Sequence, residues 1–156
     1  MEMKIGFGFD SHKIEKGKKL VLGGIDIKSD FGLAGFSDAD VIIHALCDAI
    51  LGAIGEQDIG EHFPDTDEIN RERSSSEFLR QVKQILNSKG YSVNNIDITV
   101  VLEEPKLTPY KEGIRNNLAK ILEIQEDKVA VKAKHPEGAF SKKTAVCFAL
   151  AALLKM

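Results

Sequence analysis

Hydrophobic and polar positions follow two periods along this chain, and each period predicts a different kind of element. Ile5-Gly6-Phe7-Gly8-Phe9 is a short apolar run, which predicts a buried strand over about Lys4–Phe9 that breaks into a loop at Asp10-Ser11-His12. Lys19–Leu22 and Ile25–Ile27 flank Gly23-Gly24 and predict a small hairpin, followed by a loop over Ser29–Gly35. Helical spacing then takes over. Val41, Ala45, Ala49, Ile50 and Ile54 predict a helix that Ser37 caps, with Asp38 and Asp40 in its first turn, ending near Gly55. Phe78, Leu79, Val82, Ile85 and Leu86 form the stripe of a second helix. Ser74 and Glu77 predict a capping box at its start, and Gly90 closes it.

Alternation returns at Ile96–Leu102, a predicted strand stopped by Pro105. Thr108 and Pro109 read as the cap and first position of a helix running to about Leu122. Val129–Ala133 predicts a short strand. Ala145–Leu154 is apolar on every side, which fits a helix by propensity and a doubly covered central strand by pattern. The irregular stretch Gly55–Asn70 is long enough to suggest a functional loop.

A chain of 156 residues with no repeat or linker is expected to form one domain, residues 1–156. It has no apolar run long enough to span a membrane and no signal-peptide pattern at its start. Cys47 and Cys147 are far apart and each sits among apolar residues, so they are expected as buried reduced thiols of a cytoplasmic protein. The net charge of −3, from 21 basic and 24 acidic residues, argues against nucleic acid. A phosphate-bearing substrate would need cations placed locally.

The candidate chemistry centres on acids and imidazoles. Asp10, His12 and His44 form a sufficient ligand set for a Zn²⁺ that keeps its fourth position open, although a capping turn explains the first pair equally well. Asp40 and Asp48 lie one helical turn either side of His44 and are candidates to orient its ring. Cys47 could point toward the same place, but core packing explains it better. The Gln57–Asp67 loop is acid-rich without the periodicity of a calcium loop, and His62 within it reads as a surface residue. Lys106 and Lys134 follow strands, where lysines serve either solubility or phosphate contact.

These pieces recur in order: Gly8–His12, Ser37–Val41, His44–Ala49, Leu51-Gly52, Asp58–Gly60, Phe63–Asp67, Pro105-Lys106, and Val131–Ala133 before Glu137. Across essentially the whole chain they resemble the 2-C-methyl-D-erythritol 2,4-cyclodiphosphate synthase family. The resemblance implies an α+β fold with a mixed four-stranded sheet packed against helices, the last segment a strand, in a chorismate-mutase-like trimeric architecture. It implies a homotrimer with active sites between subunits and a cytidine diphosphate ester as substrate.

By the same resemblance, Asp10, His12 and His44 hold Zn²⁺, and Glu137 helps hold Mg²⁺ or Mn²⁺ between the substrate's phosphates. Phe36 and Ser37 lie near those phosphates. Asp58, Ile59, Gly60, Phe63, Pro64, Asp65, Thr66 and Asp67 receive the methylerythritol part. Leu102, Pro105, Lys106, Leu107, Thr108 and Ala133 hold the cytidine end, Phe140 and Lys143 complete the substrate set, and Lys134, His135 and Glu137 act at the reacting phosphates.

Four positions depart from the family pattern. Phe36 stands for a histidine, Lys134-His135-Pro136 for a threonine run, Lys143 for an arginine and Leu150 for an acid facing the trimer's central cavity. His135 is expected to compensate in part by donating to a phosphate oxygen. The same departures support a second reading, a weakened family member that binds a cytidine nucleotide or isoprenoid phosphate.

Overall fold

Backbone pairing carries the first strand well beyond its apolar run. In the computed structural model, which describes residues 1–156, β1 spans Met3–Lys16. The C-terminal strand β7 (Thr144–Lys155) pairs antiparallel with it from Met3↔Leu154 to Lys13↔Thr144, and β4 (Phe31–Leu33) takes over for Ile14–Lys16. Asp10 and His12 therefore lie inside a strand rather than in a loop. Two positions apart, their side chains leave the same face of the sheet.

Between β1 and β4 lies a separate hairpin of β2 (Leu20–Leu22) and β3 (Ile25–Ile27). Next come the helices α1 (Val41–Ala53), α2 (Ile59–His62) and α3 (Ser75–Ser88), then β5 (Tyr91–Val101), α4 (Lys111–Leu122) and β6 (Val129–Lys134) before β7. The main sheet has the order β4-β1-β7-β5-β6; β5 and β6 are parallel and the other pairs antiparallel. The fold is α+β with a mixed sheet, as the resemblance implies, but the sheet has five strands rather than four because the three-residue β4 joins its edge.

The ambiguous last segment is a strand. Hydrogen bonded on both sides, by β1 and β5, it turns Ala145, Cys147, Ala149, Ala151 and Leu153 inward, where all are buried. Its small inward residues let α1 come close. So do Gly6 and Gly8 of β1, where an added Cβ would sit 1.8 Å from the carbonyl oxygens of Ala49 and Ala45. Only glycine lets this helix rest directly on this strand.

Helices cover one face of the sheet. The other face, within one chain, is open: Ile5, Phe7 and Phe9 of β1 are 63%, 62% and 49% exposed, and Leu150 of β7 is 40% exposed. Apolarity on every side of β7 therefore comes from a core face and a second, uncovered apolar face.

Three expected caps differ. Asp40, not Ser37, caps α1, accepting from the Ile43 N–H at 3.1 Å. Its two oxygens also accept from the Gly23 and Gly24 N–H groups at 2.9 and 2.7 Å, which ties the β2–β3 turn to the helix. The capping box of α3 does not form: Ser74 makes no side-chain bond, and Glu77 pairs with Arg73 at 2.7 Å. Thr108 and Pro109 sit in a short 3₁₀ turn that runs directly into α4.

Candidate active site and metal centre

The inward alternation of β1 aims Asp10 and His12 at the face that α1 covers, and His44 comes from the first turns of α1. Their donor atoms all lie within 4.8 Å of one another. Asp10 Oδ2 is 2.7 Å from His12 Nε2 and 3.3 Å from His44 Nδ1, and the two imidazole nitrogens are 3.3 Å apart. Tetrahedral zinc ligands at about 2.0–2.1 Å from the metal lie about 3.3 Å from each other, so the residues fit such an ion with little movement. The rings are held from behind. His12 Nδ1–H donates to the Ala34 carbonyl at 2.8 Å, leaving Nε2 to face the centre, and His44 Nε2 contacts Ser75 Oγ at 2.8 Å.

Charge at the centre is strongly coupled. Burial pushes the Asp10 carboxyl up, but the His12 and His44 imidazoles beside it outweigh burial and bring it down to about 2. Burial depresses His12, and the Asp10 hydrogen bond and charge more than reverse this, leaving it raised.

Asp40 and Asp48 do not orient His44 as their helical spacing suggests. Asp40 is consumed by capping, and Asp48 accepts from the Ile59 N–H at 2.7 Å, fastening the long loop to α1. Asp40 is fully buried; burial and the neighbouring Asp38 carboxylate raise it to about 6 against three backbone donors. Cys47 is in the core, and burial, followed by the charges of Asp48 and Asp40, pushes its thiol well up, so it stays protonated. His62 lies 3.5 Å from Glu56 and outside the ligand cluster.

A cavity of about 260 Å³ opens beside the cluster, lined by His12, Phe36, Ser37, His44, Ile59, Gly60, Phe63, Asp65, Asn70 and Phe78. Asp58 caps α2, accepting from Glu61 N–H at 3.0 Å, and Asp67 caps the following turn. With Pro64 and Thr66 they are exposed around the cavity's loop rather than in its lining. Phe63 stacks on Phe78 with ring centroids 4.6 Å apart, and the Arg71 guanidinium lies 5.4 Å from the Phe36 ring.

The remaining candidates gather elsewhere. Leu102, Pro105, Lys106, Leu107, Thr108, Ala133, Lys134 and His135 line a separate cavity of about 190 Å³. β1, β5 and β6 run in the same direction, so both cavities open at one end of the sheet. The two intervening strands put β1 and β6 about 14 Å apart within one chain. Glu137 is exposed on the β6–β7 loop, Phe140 folds back to 6.1 Å from Phe148 on the open face, and the Lys143 carbonyl accepts from Ile14 N–H at 2.9 Å.

Four residues at the site escaped the sequence reading: Asp38, Asn70, Ser75 and Phe78. Asp38 looked like a first-turn acid, Phe78 like stripe packing and Ser75 like an ordinary helix start. Nothing in their spacing relates them to His44, because the contact is made across two helices.

Against known proteins, residues 3–155 match the YgbB family. A 2-C-methyl-D-erythritol 2,4-cyclodiphosphate synthase of Aquifex aeolicus is 45% identical over 156 residues, covering all of both chains. The CDP-bound form of a solved synthase of the same name superposes with a TM-score of 0.91 at 32% identity, over 97% of this chain and 100% of that one. The bifunctional IspDF of Campylobacter jejuni gives 0.94 at 35% identity, over 99% of this chain, which spans 43% of that longer protein.

Proposed function

Since the chain belongs to the YgbB family, we propose that its metal cluster and its two cavities are the parts of one site, each site shared between two subunits of a homotrimer. The activity is that of its synthase relatives: it forms 2-C-methyl-D-erythritol 2,4-cyclodiphosphate in isoprenoid biosynthesis. The substrate is 4-diphosphocytidyl-2-C-methyl-D-erythritol 2-phosphate. An oxygen of its 2-phosphate attacks the β-phosphorus, the bond from that phosphorus to the CMP phosphate breaks, and CMP leaves with the bonding electrons. The eight-membered cyclic diphosphate remains. The nucleophile is already an anion at neutral pH, so the protein's task is geometry and charge.

The observation that carries this reading is the convergence of Asp10, His12 and His44 beside a cavity that also presents Ser37, Gly60 and Asp65. Zn²⁺ suits the three donors, Mg²⁺ or Mn²⁺ suits a single carboxylate such as Glu137 shared with substrate phosphates, and such ions when bound neutralise converging phosphate charge. Ser37 donates to a phosphate oxygen, and the loop Asp58–Asp67 receives the polyol. The cavity with Lys106, Lys134 and His135 takes the cytidine end, and His135 donates to a phosphate oxygen near the reacting phosphorus. Phe36, Phe140 and Lys143 border the same path.

Trimer formation is supported by the open face of Ile5, Phe7, Phe9 and Leu150, an apolar area that a second copy would cover. Leu150 stands on this face, so the cavity at the trimer's centre is apolar there. The chain acts as one unit over residues 1–156. No helix is long and apolar enough to cross a membrane, and two buried free thiols support a cytoplasmic setting. The reading as a weakened nucleotide binder is not favoured by relatives named for synthesis.

The test is incubation with the diphosphocytidyl substrate and Mg²⁺. Stoichiometric CMP and cyclic diphosphate are expected, and Asp10→Asn should lose more than about 100-fold in turnover together with its bound zinc. Binding without turnover would favour the weakened binder, and a linear phosphate product would mean a phosphohydrolase.

A further inference from the structure

His44 can serve as a ligand through Nδ1 only if its proton sits on Nε2, and a chain of hydrogen bonds behind it decides where the proton goes. The Ser75 hydroxyl has one proton, and it donates it to Asp38 Oδ1. Both Asp38 oxygens are acceptors, Oδ2 from the Ser75 N–H at 2.9 Å and Oδ1 also from the Asp40 N–H at 3.1 Å. The carboxylate therefore has no proton to give back. Ser75 Oγ, 2.8 Å from His44 Nε2, is left with only lone pairs toward the ring and must accept. Ser37 Oγ is farther from the same nitrogen, at 3.3 Å. Ser75 is fully buried, so no water competes for the bond.

We infer that Asp38 and Ser75 form a positioning relay that holds His44 in the Nε2–H tautomer and aims its Nδ1 lone pair at Asp10 and His12. The inference rests on the reading of those three residues as metal ligands. Neither relay residue is among the three candidate ligands; each acts through the ring of His44. The relay also explains why α3 begins at Ser75 without a cap from Ser74: Asp38 takes the N-terminal N–H of α3 and fixes that helix end against the metal-bearing helix α1.

Two measurements test it on the full chain. In the metal-free wild-type protein, long-range proton–nitrogen NMR reads the tautomer of His44 directly. Protonated Nε2 is expected, and an unprotonated Nε2 overturns the relay whatever the variants do. Competition with a chelating dye then gives the zinc affinity of Ser75→Ala, expected to fall about 10–100-fold. Asp38→Asn should fall likewise, because its amide can donate to Ser75 Oγ and turn the serine proton toward Nε2. Variants that bind zinc as tightly as wild type overturn the relay alone. A wild type that binds no zinc overturns the metal reading itself, and one that binds zinc but makes no cyclic product overturns the catalytic reading while leaving the relay standing.

Discussion

At the scale of single residues, the candidate metal ligands are distinguished from the chain's other acids and imidazoles by what stands behind them. His12 is held by a backbone carbonyl and His44 by a serine, whereas His62 has only the neighbouring Glu56. The less ordinary residue is His135. It lies exposed at the end of β6, beside Lys134 and Lys106 in the smaller cavity, with its ring available to a phosphate. His135→Ala should lower kcat by about 10-fold or more with KM little changed, as loss of one transition-state donor does. Unchanged turnover would remove His135 from the chemistry. Asp10, His12 and His44 were readable as a joint ligand set from residue type and from the ordered motifs around them. Residue type alone did not decide it, because Asp10 and His12 permit a turn and His44 permits a solvated helix face.

At the scale of elements, the packing of α1 on β1 sets the site. Gly6 and Gly8 put the helix that bears His44 against the strand that bears Asp10 and His12 with no side chain between them. Gly8→Ala should therefore destabilise the fold by about 1–3 kcal/mol, through overpacking against a helix carbonyl that cannot yield locally. It should also weaken metal binding, because relief requires moving the two ligand-bearing elements apart. Thermal unfolding and dye competition measure the two effects, and a stable variant with normal zinc affinity would refute the account.

The N-terminus of the same helix carries a pH dependence. Asp40 is raised from the usual 3.8 to about 6 when folded, so between those values the folded state binds the extra proton. Its contribution to stability is greatest below about pH 4 and falls by about 3 kcal/mol as pH rises through about 6. The stability difference between the wild type and Asp40→Asn should narrow over that interval, and a constant difference would show that Asp40 does not titrate there. The sequence marked this helix correctly by its apolar spacing but put its cap at Ser37. Capping chemistry is local, and the partners that claim Asp40, Gly23 and Gly24, lie on a distant hairpin.

At the scale of the whole molecule, one chain holds two separate cavities and one bare apolar face. Phe7→Glu should abolish the proposed trimer in sedimentation and lower turnover severely, while zinc binding, whose three candidate ligands all come from β1 and α1 of one chain, survives. Mixing two inactive variants tests the sharing of sites. Asp10→Asn and Glu137→Gln subunits exchanged at equal amounts should recover about a quarter of wild-type activity, because random assembly gives that share of sites with both halves intact. No recovery after verified subunit exchange would mean that each chain completes its own site. The sequence by itself determined the β2–β3 hairpin, the three long helices, the buried cysteines and the residue types of the candidate metal set, since apolar spacing and side-chain chemistry are local properties. Only the tertiary structure decided that the last segment is a strand, that β1 continues through Asp10 and His12, and that Asp38 and Ser75 stand behind His44. Each of those depends on which partner supplies the hydrogen bonds, and a partner more than thirty residues away leaves no periodicity to read.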